Sequence, residues 1–297
     1  MSERMTAAYS TRRAGAVRQP SIGVSSDYFF STRGVRLHYI EWGERTNPPL
    51  VLLHGGSAHA HWWDHIASAL APDYRVLALD LRGHGDSSWV SPPAYEVEDY
   101  VADLEAFVSI LRLTSFVLLG HSLGGFVALS YATTHAKRLK ALIVVDIGFR
   151  FGGSRFMRLL RHMPMPVYRD ETELLARFRL LPAETSASPE LLHHIARYSV
   201  RPLQTGGLTL KFDRATLTRE LRDLRLLLSS ITCPTLFLRG GDSQNLSVAA
   251  LAEMVQSCLY ARGVEIPSAG HHVFLDNPAA FLEAVRGFLD EETEACK

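Results

Sequence analysis

The chain has 297 residues, 47% of them hydrophobic and 21% charged, the profile of a globular enzyme-sized protein with a sizeable core. Its 31 basic and 31 acidic residues cancel, which excludes a global field recruiting nucleic acid or an anionic membrane. No apolar run approaches the length of a membrane span.

Residues 1–25 carry Arg4, Arg12, Arg13 and Arg18 against the single acid Glu3, with no apolar h-region and no amphipathic period. That bias is shared with organellar transit peptides, but without the period the stretch reads as a disordered extension outside the fold. Cys233, Cys258 and Cys296 are scattered without metal-like spacing, so they fit incidental thiols in a reducing compartment and a cytoplasmic protein.

Strand signals begin near Tyr28 with a hairpin whose second arm, Val35 to Trp42, alternates. Leu50-Val51-Leu52-Leu53 is continuously apolar, as in a strand buried on both faces, and it ends in His54-Gly55-Gly56. Tyr74 to Asp80, Phe116 to Leu119 and Ala141 to Asp146 repeat that pattern. Helical patterns at Trp62 to Ala71, Val97 to Leu111 and Leu123 to Thr134 separate them, which predicts βαβ units and a mostly parallel, doubly wound sheet. From 148 to 228 the rhythm breaks. Leu- and Arg-rich segments at Phe156 to Arg161, Glu171 to Leu180, Pro189 to Tyr198 and Leu217 to Leu228 predict a helical cap without strands. Sheet pattern resumes at Pro234 to Arg239 and Gly263 to Ile266, with helices near Val248 to Gln256 and Pro278 to Leu289. The expected organisation is a core of 26–147 and 229–290 with a cap of 148–228 inserted after strand 6.

Gly120-His121-Ser122-Leu123-Gly124 carries the chemistry. A serine on a strand-turn-helix corner is held in a cramped backbone, with glycines on either side relieving collisions. The corner lifts the hydroxyl clear of the sheet and leaves the Leu123 N–H at a helix start.

Together with His54-Gly55-Gly56, Asp80-Leu81-Arg82-Gly83-His84-Gly85-Asp86-Ser87 and Gly270-His271 followed by Leu275-Asp276-Asn277-Pro278, this corner resembles the α/β-hydrolase superfamily, in its capped esterase and epoxide-hydrolase-like branch. The resemblance runs from about Tyr28 to Leu289. It implies an α/β-hydrolase fold with an eight-stranded sheet and a serine nucleophile, Ser122, served by a histidine base and an acid. The family spacing from the histidine to Leu275 selects His271 over His272, which reads as a loop or packing residue. Oxyanion donors follow as the N–H groups of Leu123 and, by family analogy, Gly56.

The acid has two candidates. Many relatives place it in a Gly-x-x-Asp turn after the seventh strand, where this chain has Ser243, with Asp242 one position early. Asp146 ends the sixth strand, where other α/β-hydrolases place it, and parallel strand ends open toward one edge. Asp146 is favoured, with Asp242 the alternative.

His54 reads as an anchor for its loop, and the Asp80–Ser87 segment as a polar turn with aspartates bonding backbone N–H groups. His59, His61 and His65 read as loop residues near a pocket mouth rather than metal ligands. The cap arginines, Arg155 to Arg179, read as a solvated face, with the alternative that one or two contact an acidic substrate group.

The expected function is a serine hydrolase acting on a carboxylic ester, lactone or thioester through an acyl-enzyme, without cofactor or metal. Its partner is a small-molecule acyl substrate, and it is expected as a monomer or homodimer. An epoxide hydrolase or dehalogenase requires an aspartate where Ser122 stands. Two alternatives stay open: a cofactor-independent oxygenase of the same fold, and a non-catalytic binding protein.

Overall fold

A computed structural model describes residues 25–151, 155–217 and 222–295. The extension expected over 1–25 therefore lies outside the described residues, apart from Ser25.

Eight strands form one sheet. They are β1 (Ser25–Thr32), β2 (Val35–Trp42), β3 (Pro49–Leu53), β4 (Arg75–Leu79), β5 (Phe116–His121), β6 (Leu139–Val145), β7 (Thr235–Gly240) and β8 (Ala261–Ile266). Their order is β1-β2-β4-β3-β5-β6-β7-β8, antiparallel at β1 and β2 and parallel from β4 onward.

Apolar side chains on both faces make β3 to β7 central strands. Val51, Leu53, Leu118, Val144 and Phe237 enter one core layer, under α2 (Val97–Ile110) and α3 (Leu123–His135). Their neighbours Leu50, Leu52, Val117, Leu119, Val145 and Leu238 enter the other, with α1 (Asp64–Leu70) and the C-terminal helix Pro278–Ala295. The alternation follows from the two-residue period of a strand. The first seven residues of α3, Leu123 to Leu129, are apolar and buried on every side, with Phe126, Val127 and Leu129 in the first layer.

Register decides where the site forms. Leu53 pairs with Gly120, His121 with Val145, and Val145 with Leu238. The loops leaving β3, β5, β6 and β7 therefore emerge side by side at the carboxyl edge, where the order reverses between β3's two neighbours, β4 and β5.

Between β6 and β7 the chain leaves the sheet. It forms α4 (Arg155–His162), α5 (Glu171–Arg177), α6 (Pro189–Tyr198) and α7 (Arg225–Leu228). The expectation of a strand-free segment is wrong. Val167–Tyr168, Leu208–Leu210 and Val200–Pro202 make a small three-stranded antiparallel sheet, and Arg150–Phe151 pairs with Arg222–Asp223. Strands of two or three residues are too short to alternate visibly. Their signal was the turn between them, where Gly206 and Gly207 both hold positive φ, at 91° and 81°. The helix expected over Leu217 to Leu228 is also corrected: a 3-10 turn closes at Leu217, a short strand begins at Arg222, and only Arg225–Leu228 is helical. Residues 218–221 of that segment lie outside the described residues. α5 stops at Arg177, because Phe178 turns extended.

Candidate active site

Ser122 sits between β5 and α3 with φ 51° and ψ −113°, a left-handed-side backbone that a non-glycine residue adopts only under constraint. The constraint is visible. Its N–H donates to Val145 O at 3.0 Å, and the Gly124 N–H donates to His54 O at 3.1 Å, tying the corner to both neighbouring strand ends. No side chain fits under it: a Cβ on Gly120 would lie 2.2 Å from Gly124 O, and one on Gly124 2.4 Å from Leu53 O. Leu123 opens α3, so its N–H has no carbonyl four residues back within the helix. Gly56, on the adjacent loop after β3, has open space where a side chain would be.

Asp146 follows β6, also at positive φ (50°), and is 1% exposed. A carboxylate so buried is stable only when its oxygens are hydrogen-bonded. Three donors meet it: the Gly240 N–H at 3.1 Å on Oδ1, and the Ser243 hydroxyl at 2.6 Å and His271 Nδ1 at 2.8 Å on Oδ2. In the tautomer whose Nδ1–H donates to Asp146, the neutral ring of His271 carries its lone pair on Nε2. Asp242 is exposed, its N–H donating to Ala269 O, while the Nδ1 partner of His271 is Asp146.

Three residues that the sequence reading passed over hold this geometry. Ser243 is one. His121, fully buried beside Ser122, donates from Nε2 to His271 O at 2.9 Å, and the two rings lie 4.6 Å apart. Burial and the neighbouring histidines keep His121 neutral, well below the usual imidazole range. The loop carrying His271 is thereby tethered one residue from the corner serine. Asp276 accepts from the Gly270 N–H at 2.8 Å and, through its other oxygen, from the Thr185 hydroxyl and the Ser186 N–H, joining that loop to the inserted segment.

A family model for the alpha/beta hydrolase fold matches residues 48–278. The chain belongs to this family. This hydrolase is 28% identical over 271 residues to a 3-hydroxybutyrate-oligomer hydrolase of Cupriavidus necator, covering 85% of this chain and 92% of that one. It is 27% identical to an esterase of Mycobacterium tuberculosis, covering 84% and 85%. Among solved structures, an E-2-(acetamidomethylene)succinate hydrolase superposes with a TM-score of 0.80 at 22% identity over 90% of this chain and all of that one, which shows a shared fold.

Other histidines of this chain are bonded away from Asp146. His54 Nε2 accepts from the Leu81 N–H at 3.0 Å, and His272 Nε2 donates to Pro182 O at 2.8 Å. His59 donates to Ser199 Oγ at 2.9 Å, since that hydroxyl itself donates to Ile195 O. His61 and His194 both bond Asp64, and His65 bonds Phe274 O. Asp80, in its polar turn, accepts from the Ala60 and Asp86 N–H groups and from His38. Among the described residues, no helix is long and apolar enough to cross a membrane.

Proposed function

We propose that the protein is a serine hydrolase that cleaves a carboxylic ester, lactone or thioester through an acyl-enzyme. The observation that carries this reading is the 2.8 Å bond between His271 Nδ1 and the buried Asp146, at the sheet edge where Ser122 is held in its strained corner. Ser122 Oγ attacks the substrate carbonyl carbon while its proton passes to His271 Nε2. Asp146 holds the ring's tautomer and stabilises the imidazolium. The N–H groups of Gly56 and Leu123 receive the oxyanion, each lowering the barrier by roughly 3–4 kcal/mol. Collapse breaks the bond to the alcohol or thiol, which leaves with the proton from His271. Water, deprotonated by the same histidine, then releases the carboxylic acid and restores Ser122.

The segment of residues 148–228 serves as a cap that selects the substrate. The partner is a small acyl molecule, acted on in the cytoplasm by a monomer or homodimer without a cofactor. The names of relatives support ester-type bonds: an oligomer hydrolase, an esterase and a mouse sn-1-specific diacylglycerol lipase. Epoxide hydrolases are also relatives, but epoxide opening through an alkyl-enzyme needs a carboxylate where Ser122 stands.

Fluorophosphonate labelling followed by peptide mass mapping tests the proposal. Modification of Ser122, with turnover of 4-nitrophenyl esters abolished in Ser122→Ala, is expected. An acid after β6 also suits a cofactor-independent oxygenase. Oxygen uptake with an N-heteroaromatic substrate, together with unlabelled Ser122, would establish that reading instead.

A further inference from the structure

A cavity of about 230 Å³ adjoins the loop after β3, walled by Ser57, His59 and Trp62 and by residues of the inserted segment. Most of its wall is apolar, yet Arg177, Arg179, Lys211 and Arg214 also line it and no carboxylate does. Arg177 is countered by Glu173 at 2.6 Å and Lys211 by Asp86 at 2.7 Å. Arg179 and Arg214 pair with no carboxylate among the described residues.

Arg214 is the more telling of the two. It is half-buried, and its guanidinium meets only neutral acceptors: Nη1 donates to the carbonyls of Leu160 and Met163, and Nε approaches Met165 Sδ at 3.0 Å. Burial pushes its pKa down, the mark of a cation short of counter-charge. The two carbonyls belong to the C-terminal end of α4, so Nη1 caps a helix. That role leaves Nη2 without an acceptor among the described residues. A second unmet donor lies on the same wall, the buried indole N–H of Trp62. A buried donor such as the Trp62 N–H rarely lacks an acceptor, and the partly exposed guanidinium of Arg214 is shaped to take two oxygens of one anion.

We propose that this cavity receives an apolar acyl chain ending in a carboxylate, and that Arg214 binds the carboxylate. The proposal rests on the reading of Ser122 as nucleophile and Gly56 as oxyanion donor: Ser57, in the cavity wall, directly follows Gly56, so the cavity adjoins the place where the substrate carbonyl is held, and varying the acyl end alone tests that the acyl chain is what enters it.

The test compares 4-nitrophenyl hydrogen adipate with 4-nitrophenyl hexanoate, acyl groups of equal length that differ in the terminal charge. The wild-type enzyme is expected to prefer the adipate ester by about tenfold or more in kcat/KM, with the preference shrinking as salt is raised. Arg214→Gln should remove that preference through KM and leave hexanoate turnover within about twofold. Equal wild-type turnover of both esters, or a matching loss for both in Arg214→Gln, overturns the proposal and leaves Arg214 as a helix cap. The wild-type comparison stands even if the variant does not fold. If neither ester is cleaved, the Ser122 reading fails separately, and calorimetry decides the anion site. Adipate binding that disappears in Arg214→Gln supports it, and absence of adipate binding to the wild type overturns it.

Discussion

The Ser243 hydroxyl donates to Asp146 Oδ2 at 2.6 Å, on the same oxygen that receives His271 Nδ1. Ser243 stands where many α/β-hydrolases carry the acid itself. In this chain the carboxylate that meets His271 Nδ1 comes from the end of β6, and the position after β7 supplies a second donor to the same oxygen.

Ser243→Ala should therefore lower kcat by roughly tenfold, the worth of one hydrogen bond to a charged group, with little change in KM. Steady-state kinetics on a 4-nitrophenyl ester checks this. Unchanged kcat would show that the hydroxyl contributes nothing to positioning Asp146.

His121→Phe keeps a buried ring but removes the donor to His271 O. Ester turnover and the rate of Ser122 labelling by a fluorophosphonate should fall together, by roughly tenfold, because the base is displaced while the serine stays. A fall in turnover with unaltered labelling would contradict the tether.

The corner has no room for a methyl group. Gly120→Ala would drive a Cβ into the backbone of α3, at a cost of roughly 3 kcal/mol or more. Chemical denaturation should show a large fall in midpoint, or no folded protein. A midpoint near that of the wild type would contradict the packing described.

Stability should depend on pH through buried imidazoles. Burial lowers the pKa of His54 and His121, of His59 to about 3 and of His272 to about 4. Between those values and the unfolded value of about 6.5, the unfolded chain binds more protons than the folded one. Stability therefore rises with pH and is lost as pH falls from about 6.5 toward 4, by at most about 1.4 kcal/mol per pH unit for each histidine. His38 opposes them. Burial alone would lower its pKa, but the hydrogen bond and charge of Asp80 raise it, so its contribution is present below about 6.5 and lost as pH rises through its folded value. Urea midpoints at pH 7 and pH 5 should differ clearly in the wild type and less in His272→Gln. Equal wild-type midpoints at the two pH values would contradict the balance.

Much of this was legible before any coordinates. The unbroken apolar runs of β3, β5 and β6 announce strands covered on both faces, and Gly120 to Gly124 announces a corner because only glycine fits there. The choice between Asp146 and Asp242 was legible only as a preference for Asp146, since adjacent parallel strand ends deliver both to one edge and only burial and bonding separate them. Ser243 could have been read as a partner for a carboxylate from β6 once the expected aspartate was missing. The small sheet of the inserted segment left no periodic trace, although Gly206-Gly207 marked its hairpin. The His121 link was illegible because it spans 150 residues and ends on a backbone carbonyl.

The central claim is that Asp146 drives His271 and thereby Ser122. Measuring kcat for Asp146→Asn beside Asp242→Asn on one chromogenic ester tests it most directly. Asp146→Asn should lose activity by about 10⁴-fold, with Asp242→Asn near wild type. Loss confined to Asp242→Asn would contradict the assignment.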